Sequence, residues 1–431
     1  MSFKNVCFGL SLSLALSGCV VNAQTPSSFA NANDEMRGTA CVPQGTWYDP
    51  GLSKPMTTAD VIAEMRTKDI VLLGETHTFG DHHRWQVQTI SQLYLQNPDL
   101  ILGFESFPRR LQSVLDKWVA GELSEEEFIR DTDWETVWKY DIKHYMPMFQ
   151  FARMNRIPMI ALNVDRTLIR KVSADGWKNV PEDERLGVGN PKAAPQPYID
   201  MLAAIFGKHE DKDGDKDEPK TPTLDDPMFS NFVDSQLTWD RAMAEAADSA
   251  LKSAEAEGRN PLFIAIVGRG HMDHFLGIPV QLYDLGRSNF GVLTPWDDLR
   301  KCSDLQRGGL AAADAVFGVE RTKEVIKPAK PKLGVMIEAA DDGIAIRDVV
   351  ENSIADKHGI KKDDVITKAA GLEMKTIGEL IKVIKSMSPG TILPLEIKRG
   401  DKTLNIQAPF PTLAEQEAAQ KAAHKKVHGK K

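Results

Sequence analysis

The chain has 431 residues, 42% of them hydrophobic, and a net charge of −8. That length exceeds one ordinary domain and supplies apolar mass for two or three cores. The acidic balance argues against nucleic-acid binding, which needs a basic face.

The first residues, "MSFKNVCFGLSLSLALSGC", place one Lys before an apolar run over 6–16. The run is too short to span a bilayer and reads as the apolar region of a signal peptide. Leu16-Ser17-Gly18-Cys19 resembles the bacterial lipobox, in which Cys19 becomes the lipidated first residue. Val20 after it, rather than Asp, favours the outer membrane in lipoproteins of enteric type. The expected place is therefore the periplasmic face of that membrane, with 1–19 as signal and lipobox and 20–45 as a tether. Export puts the two remaining cysteines, Cys41 and Cys302, in an oxidising compartment, where they are the expected disulfide pair.

Over 46–303 short apolar runs alternate with helical patterns. The runs Ile70–Leu73, Leu100–Phe104, Ile157–Leu162 and Leu262–Val267 are continuously apolar, as strands buried on both faces are. Val280–Tyr283 and Gly291–Leu293 are expected as edge strands. Helices are expected over His83–Leu95 with Asp81 as N-cap, from the capping box at Ser124, over Met148–Asn155 and over Asn231–Ala256. The predicted fold class is α/β, a mostly parallel sheet flanked by helices. The acidic stretch 207–222 lacks the Gly and Glu of a calcium-binding loop and reads as a solvated insertion. A linker is expected over 304–330, a second, small α+β domain over 331–411, and a basic tail over 412–431.

Ligands of open parallel sheets bind beyond the carboxyl ends of the strands. Here those ends carry Glu75 and His77 in "GETH", Glu105, Asn163, and His271 in "GRGH". Glu75, His77, Glu105 and His271 have the composition of a two-histidine carboxylate set for a divalent metal. Without metal, Glu75, His77 and His271 suit general acid–base hydrolysis. The stretch 133–152 is the most aromatic part of the chain and suits a flat ligand such as haem, with Tyr140, His144 and Tyr145 as axial candidates. Adjacent helical residues point about 100° apart, so His82 and His83 cannot both serve one small ion; His82 is kept as a haem candidate. No Cys-x-x-Cys-His is present, which excludes covalent haem attachment of the c type, and no Gly-x-Ser-x-Gly elbow supports a serine hydrolase.

Together "VLLGETH", "GFES", "MIALNVDRTLIRKVSADGW", "SQLTWDRAMAEA" and "IVGRGHMDHFLGIP" resemble the ChaN-like haem-binding lipoprotein family. Its wider superfamily includes the TIKI and TraB proteins and the erythromycin esterases. The resemblance implies haem or iron handling at the bacterial envelope, with haem held between two chains, hence a homodimer. The hydrolytic relatives imply roles for Glu75, His77 and His271. The family's tyrosine ligand does not map securely, so Tyr140 and Tyr145 both stand.

Residues 331–411 resemble a PDZ domain. Leu333, Gly334, Val335 and Met336 match its carboxylate-binding loop and first strand, and 377–384 matches the groove helix, with Leu380 as a pocket residue. Asp363 stands where the family usually has Gly, and Asp tolerates the left-handed turn there. The resemblance implies capture of a peptide or protein C-terminus by strand addition. Two readings follow: an anchored haem-binding or iron-binding protein that recruits a partner, and a hydrolase that uses the same rim.

Overall fold

The computed structural model describes residues 36–210, 222–322 and 332–419. Cys19 with its lipobox, the body of the acidic insertion, residues 323–331 and the end of the basic tail lie outside them. The chain divides into two compact units, the first running to Thr322 and the second from Lys323. No helix among the described residues is long and apolar enough to cross a membrane.

In chain order the first unit contains β1 (Trp47–Asp49), β2 (Lys54–Met56), α1 (Thr58–Met65), β3 (Ile70–Glu75), α2 (Gly80–Gln96), β4 (Leu100–Pro108), α3 (Gln112–Ala120), α4 (Glu125–Asp131), α5 (Trp134–Val137), α6 (Ile142–Asn155), β5 (Met159–Asn163), α7 (Arg166–Asp175), α8 (Gln196–Glu210), α9 (Pro227–Ala256), β6 (Leu262–Gly268), α10 (Ile278–Asp284), β7 (Phe290–Trp296), β8 (Gln306–Arg307), β9 (Leu310–Ala311) and β10 (Ala315–Gly318). One sheet runs in the order β2-β1-β10-β7-β3-β6-β4-β5. The six strands from β10 to β5 are mutually parallel, and β1 and β2 close one edge antiparallel.

The strands are continuously apolar because both faces are covered. Successive side chains point to opposite sides. Val71, Leu73, Leu102, Phe104 and Ile266 enter a core shared with α2, α3 and α6. Ile70, Leu72, Phe263, Ala265 and Val267 enter a second core shared with α9 and α10. Helix α9 starts on Asp226, whose side chain accepts from the Met228 N–H, with Pro227 in the first turn, where a missing N–H costs nothing. Ser124 and Glu127 form the reciprocal capping box that opens α4.

Four expectations need correction. Val280–Tyr283 is not an edge strand but lies in α10, where Pro279 suits a first turn and Ile278, Gln281 and Leu282 are buried at helical spacing. β7 is not an edge strand; it lies between β3 and β10. The first unit does not stop at 303, because β10 pairs with both β7 and β1. Phe79, not Asp81, is the N-cap of α2, and Asp81 stands in its first turn. Cys41 and Cys302 are disulfide-bonded with Cα atoms 5.5 Å apart, tying the segment before β1 to the one after β7.

The second unit has β11 (Val335–Ala340), β12 (Gly343–Val349), α11 (Ile354–Lys357), β13 (Val365–Ala369), β14 (Leu372–Glu373), α12 (Ile377–Ser386), β15 (Ile392–Arg399) and β16 (Lys402–Pro409). Its antiparallel sheet runs β11-β12-β13-β15-β16, with β14 on β13, so one side of β11 is a sheet edge. Asp363 takes φ +68°, the left-handed turn expected of it, and Gly371 takes φ +79° between β13 and β14.

Candidate functional site

The β3, β6 and β4 carboxyl ends lie side by side and deliver Glu75, Gly268 and Glu105 to one rim. A cleft of about 960 Å³ opens there, with Glu75, His77, Gly268 and His271 on its floor and Met201, Ala204 and Ile205 of α8 on an apolar wall. Gly268 makes close approach possible: a Cβ there would stand 2.9 Å from His77 Cε1 and 3.3 Å from Glu105 Oε2. Its N–H donates to Glu105 Oε2 at 2.5 Å.

Glu75 is 2% exposed and surrounded by donors. Tyr145 Oη donates to Glu75 Oε1 at 2.6 Å, and His77 Nδ1 lies 2.6 Å from the same oxygen. His83 Nδ1 stands 2.9 Å from Glu75 Oε2. Burial pushes the carboxyl up, but His83 and His77 outweigh it and hold it well below the usual range. His83 has acceptors at both ring nitrogens, Gln86 Oε1 and the Glu75 carboxylate at Nδ1 and the His77 carbonyl at Nε2. An acceptor at each nitrogen calls for a proton on each, which makes His83 a buried imidazolium; burial lowers its affinity for a proton, but Glu75 and these acceptors outweigh burial and raise it.

A second histidine–carboxylate pair faces the first. His271 Nδ1 lies 2.7 Å from Asp240 Oδ1, and Tyr198 Oη donates to Asp240 Oδ2 at 2.7 Å. Burial alone would lower His271, but Asp240 and then Glu105 push it up to about 9. His77 Nε2 and His271 Nε2 stand 3.9 and 3.7 Å from the same oxygen, Glu105 Oε1. The rim therefore carries two carboxylate-backed imidazoles around one carboxylate, an arrangement that can donate and accept protons. It is not the expected metal set. Tyr145 and His77 engage Glu75 Oε1, His83 faces Oε2, and no group of three or more His, Cys, Asp or Glu among the described residues could hold a metal ion.

The haem candidates separate. Tyr145 is 1% exposed and committed to Glu75; burial and that carboxylate raise its phenol far above the usual range, so it cannot offer a phenolate to a ligand. His82 is fully buried, its Nδ1 accepts from the Thr76 N–H, and its Nε2 faces Asp297 at 3.1 Å. Both expectations are corrected. His144 stacks on His83 at 5.5 Å and lines a separate pocket of about 280 Å³ with Gly80 and Pro147. Tyr140 is 36% exposed, with its ring 5.0 Å from His77 and 5.5 Å from Trp138.

Asp240 and Tyr198 were not singled out from the sequence. Asp240 had a signal: it is a carboxylate on the face of α9 that also buries Val233, Leu237 and Ala244, a position where a charge needs a partner. Tyr198 had none.

In the second unit, the Leu333 carbonyl accepts from the Ala355 N–H and the Gly334 carbonyl from the Val350 N–H. Planar trans peptides then turn the Gly334 and Val335 N–H groups the opposite way. Gly334 has φ +85°, and a Cβ there would overlap Ser353. Met336 is 60% exposed on β11, whereas Leu333 and Leu380 are buried in the core. Leu380 is therefore a core residue rather than a pocket residue; the exposed apolar side chain on α12 is Ile381.

Residues 61–282 match the family model described as haem-binding uptake, Tiki superfamily, ChaN, and residues 331–409 match the PDZ domain model. A probable periplasmic serine endoprotease, DegP-like, of Chlamydia trachomatis is 39% identical over 64 residues, 15% of this chain. The chain spans only 13% of that relative. The solved structure of ChaN of Campylobacter jejuni with cofacially bound heme is similar over 63% of this chain and 95% of that one, at 19% identity and a TM-score of 0.47. The HtrA3 PDZ domain bound to a phage-derived ligand is 27% identical over 18% of this chain and 83% of that chain, with a TM-score of 0.17.

Proposed function

The chain belongs to the ChaN family of haem-binding uptake proteins in the Tiki superfamily and carries a C-terminal PDZ domain, and from that membership we propose a haem-handling envelope lipoprotein. In this reading the first unit holds haem at the strand-end cleft for iron acquisition. The PDZ domain recruits a partner by its C-terminal carboxylate. A lipid on Cys19 anchors the chain to the periplasmic face of the outer membrane, and a second copy closes the cleft.

The observation that carries the haem reading is Tyr140, a half-exposed phenol set between His77 and Trp138 beside the cleft. Tyr140 is the residue that would supply an oxygen ligand, and Met201, Ala204 and Ile205 the apolar contact for a flat ring. Bound haem supplies an iron open to ligand exchange. Hemin titration of the purified protein tests the reading: a Soret band is expected, shifted or lost in Tyr140→Phe and kept in Tyr145→Phe. No Soret change with hemin would end it.

One observation favours a second reading, hydrolysis. His77 and His271 each have a carboxylate behind the ring and face Glu105, as general acid–base chemistry requires. There, Glu105→Gln abolishes cleavage of an ester or peptide while hemin affinity is unchanged. Hydrolysis that persists in Glu105→Gln would exclude it.

A further inference from the structure

β11 leaves one side of the second sheet open, and α12 packs against that strand. The extra residue of the β11–β12 bulge is Arg347 on β12, so β11 keeps its alternation. Val335 and Ile337 face inward and lie half-buried on the core that contains Leu380 and Ile384 of α12. Met336 faces outward, 60% exposed, and Glu338 follows it there, paired with Arg347. Helical spacing sets Ile377 and Ile381 in one row beside Leu380 and Ile384, with Lys385 a turn further on. Ile377 is half-buried on the same core, and Ile381 is 40% exposed. Thr376 and Glu379 are committed to the capping box that opens α12.

The connections fix which way this row runs. Met374 N–H donates to the Thr367 carbonyl, and Thr367 follows Ile366, which pairs through Ile344 with Ala339. α12 therefore starts at the Ala339 end of β11, and Ile377, Ile381 and Lys385 come in that order toward Gly334. A peptide whose carboxylate meets the Gly334 and Val335 N–H groups runs antiparallel to β11. Its last residue stands opposite Val335, and opposed residues of an antiparallel pair share a face. The last and third-from-last side chains thus turn inward, about 6.8 Å apart. Ile381 and Ile377 are about 6 Å apart along their helix, so the two spacings match.

We propose that this groove reads the end of its partner by position. It takes an apolar last side chain against Ile381 and an apolar third-from-last side chain against Ile377, and Lys385 stands beside the terminal carboxylate. The proposal rests on the reading of the PDZ domain as a module that captures C-termini. A charge at either inward position loses its water against isoleucine with nothing to pair it. The penultimate side chain turns outward beside Met336, where water remains. The partner is therefore a chain that ends in apolar, any, apolar.

The test uses the full chain and fluorescein-labelled decapeptides in anisotropy titrations. The parent peptide ends in Val-Ala-Val with a free carboxylate. Lys or Asp in place of the third-from-last Val is expected to weaken binding about tenfold. Lys at the penultimate position is expected to change it by less than about twofold. Ile377→Asp, an acid that the first turn of a helix favours, is expected to make Lys bind more tightly than Val at the third-from-last position alone. Lys385→Gln is expected to weaken every free-acid peptide about threefold and leave their order unchanged. Thermal melts check that both variants are folded. Equal binding of the Val, Lys and Asp peptides, or a switch at the last position instead in Ile377→Asp, would overturn the positional selection. An amidated peptide that binds as tightly as the free acid, with the order kept, would remove capture of a carboxylate and leave the selection standing. Binding of no peptide overturns both.

Discussion

His82 and His83 are adjacent in sequence but differ in charge, the first ring neutral and the second cationic. His82 Nδ1 accepts the Thr76 N–H, so that ring is neutral, while His83 has acceptors at both nitrogens and is an imidazolium. Each ring's proton count is fixed by what lies 100° apart around the start of α2, the strand-end loop for one and Glu75 for the other. Nitrogen NMR on labelled imidazoles near neutral pH should give one protonated nitrogen for His82 and two for His83. His83→Ala leaves Glu75 short of its buried cation and should cost about 3–5 kcal/mol in chemical denaturation. His82→Ala removes one acceptor and should cost about 1–3 kcal/mol. Equal losses, or a neutral His83, would contradict the assignment.

The His271–Asp240 pair makes stability depend on pH. Its folded value is about 9, above an unfolded value near 6.5. A raised imidazole contributes its full stability below the unfolded value and loses it as pH rises through the folded one. Burial raises Asp240 as well, so its contribution also falls as pH rises from the ordinary carboxylate value through the raised folded one. Unfolding free energy should therefore fall by on the order of 3 kcal/mol between about pH 6.5 and 9.5. Asp240→Asn should flatten that slope. A slope unchanged by Asp240→Asn would place its cause elsewhere.

Much of this arrangement was legible in the sequence, and the limit has a physical cause. A strand covered on both faces must be apolar throughout, so β3, β4 and β6 announce themselves, and parallel strands put Glu75, Glu105 and His271 at one end. What those residues do is set by partners far away in the chain. Tyr145 looked like a ligand because its hydroxyl could not be seen to meet Glu75, seventy positions earlier. Val280–Tyr283 misled for a different reason: four residues are too short a run to show a period, and only Pro279 and the spacing of Ile278, Gln281 and Leu282 identify a helix.

The disulfide spans 261 positions of sequence. Closing so long a loop restricts the unfolded chain strongly, by about 5–6 kcal/mol in the chain-entropy view. Cys302→Ser should lower the melting temperature of the first unit and leave that of the second unchanged. Equal melting of the first unit with and without reductant would count against this.

The second unit separates fold from recognition at two neighbouring positions and one distant one. Gly334 holds φ +85° against Ser353, so Gly334→Val meets both a forbidden backbone region and an overlap. It should abolish binding of peptides with a free C-terminus, read by fluorescence anisotropy. Met336 is exposed on the edge of β11, so Met336→Ala should weaken peptide binding with little change in stability. Leu380 is fully buried among Ile344, Leu393 and Leu395, so Leu380→Ala should cost about 2–5 kcal/mol. Its residual folded fraction should still bind peptide with the original affinity, because the groove does not use that side chain. Loss of affinity in Leu380→Ala under conditions where the unit is fully folded would return Leu380 to the pocket.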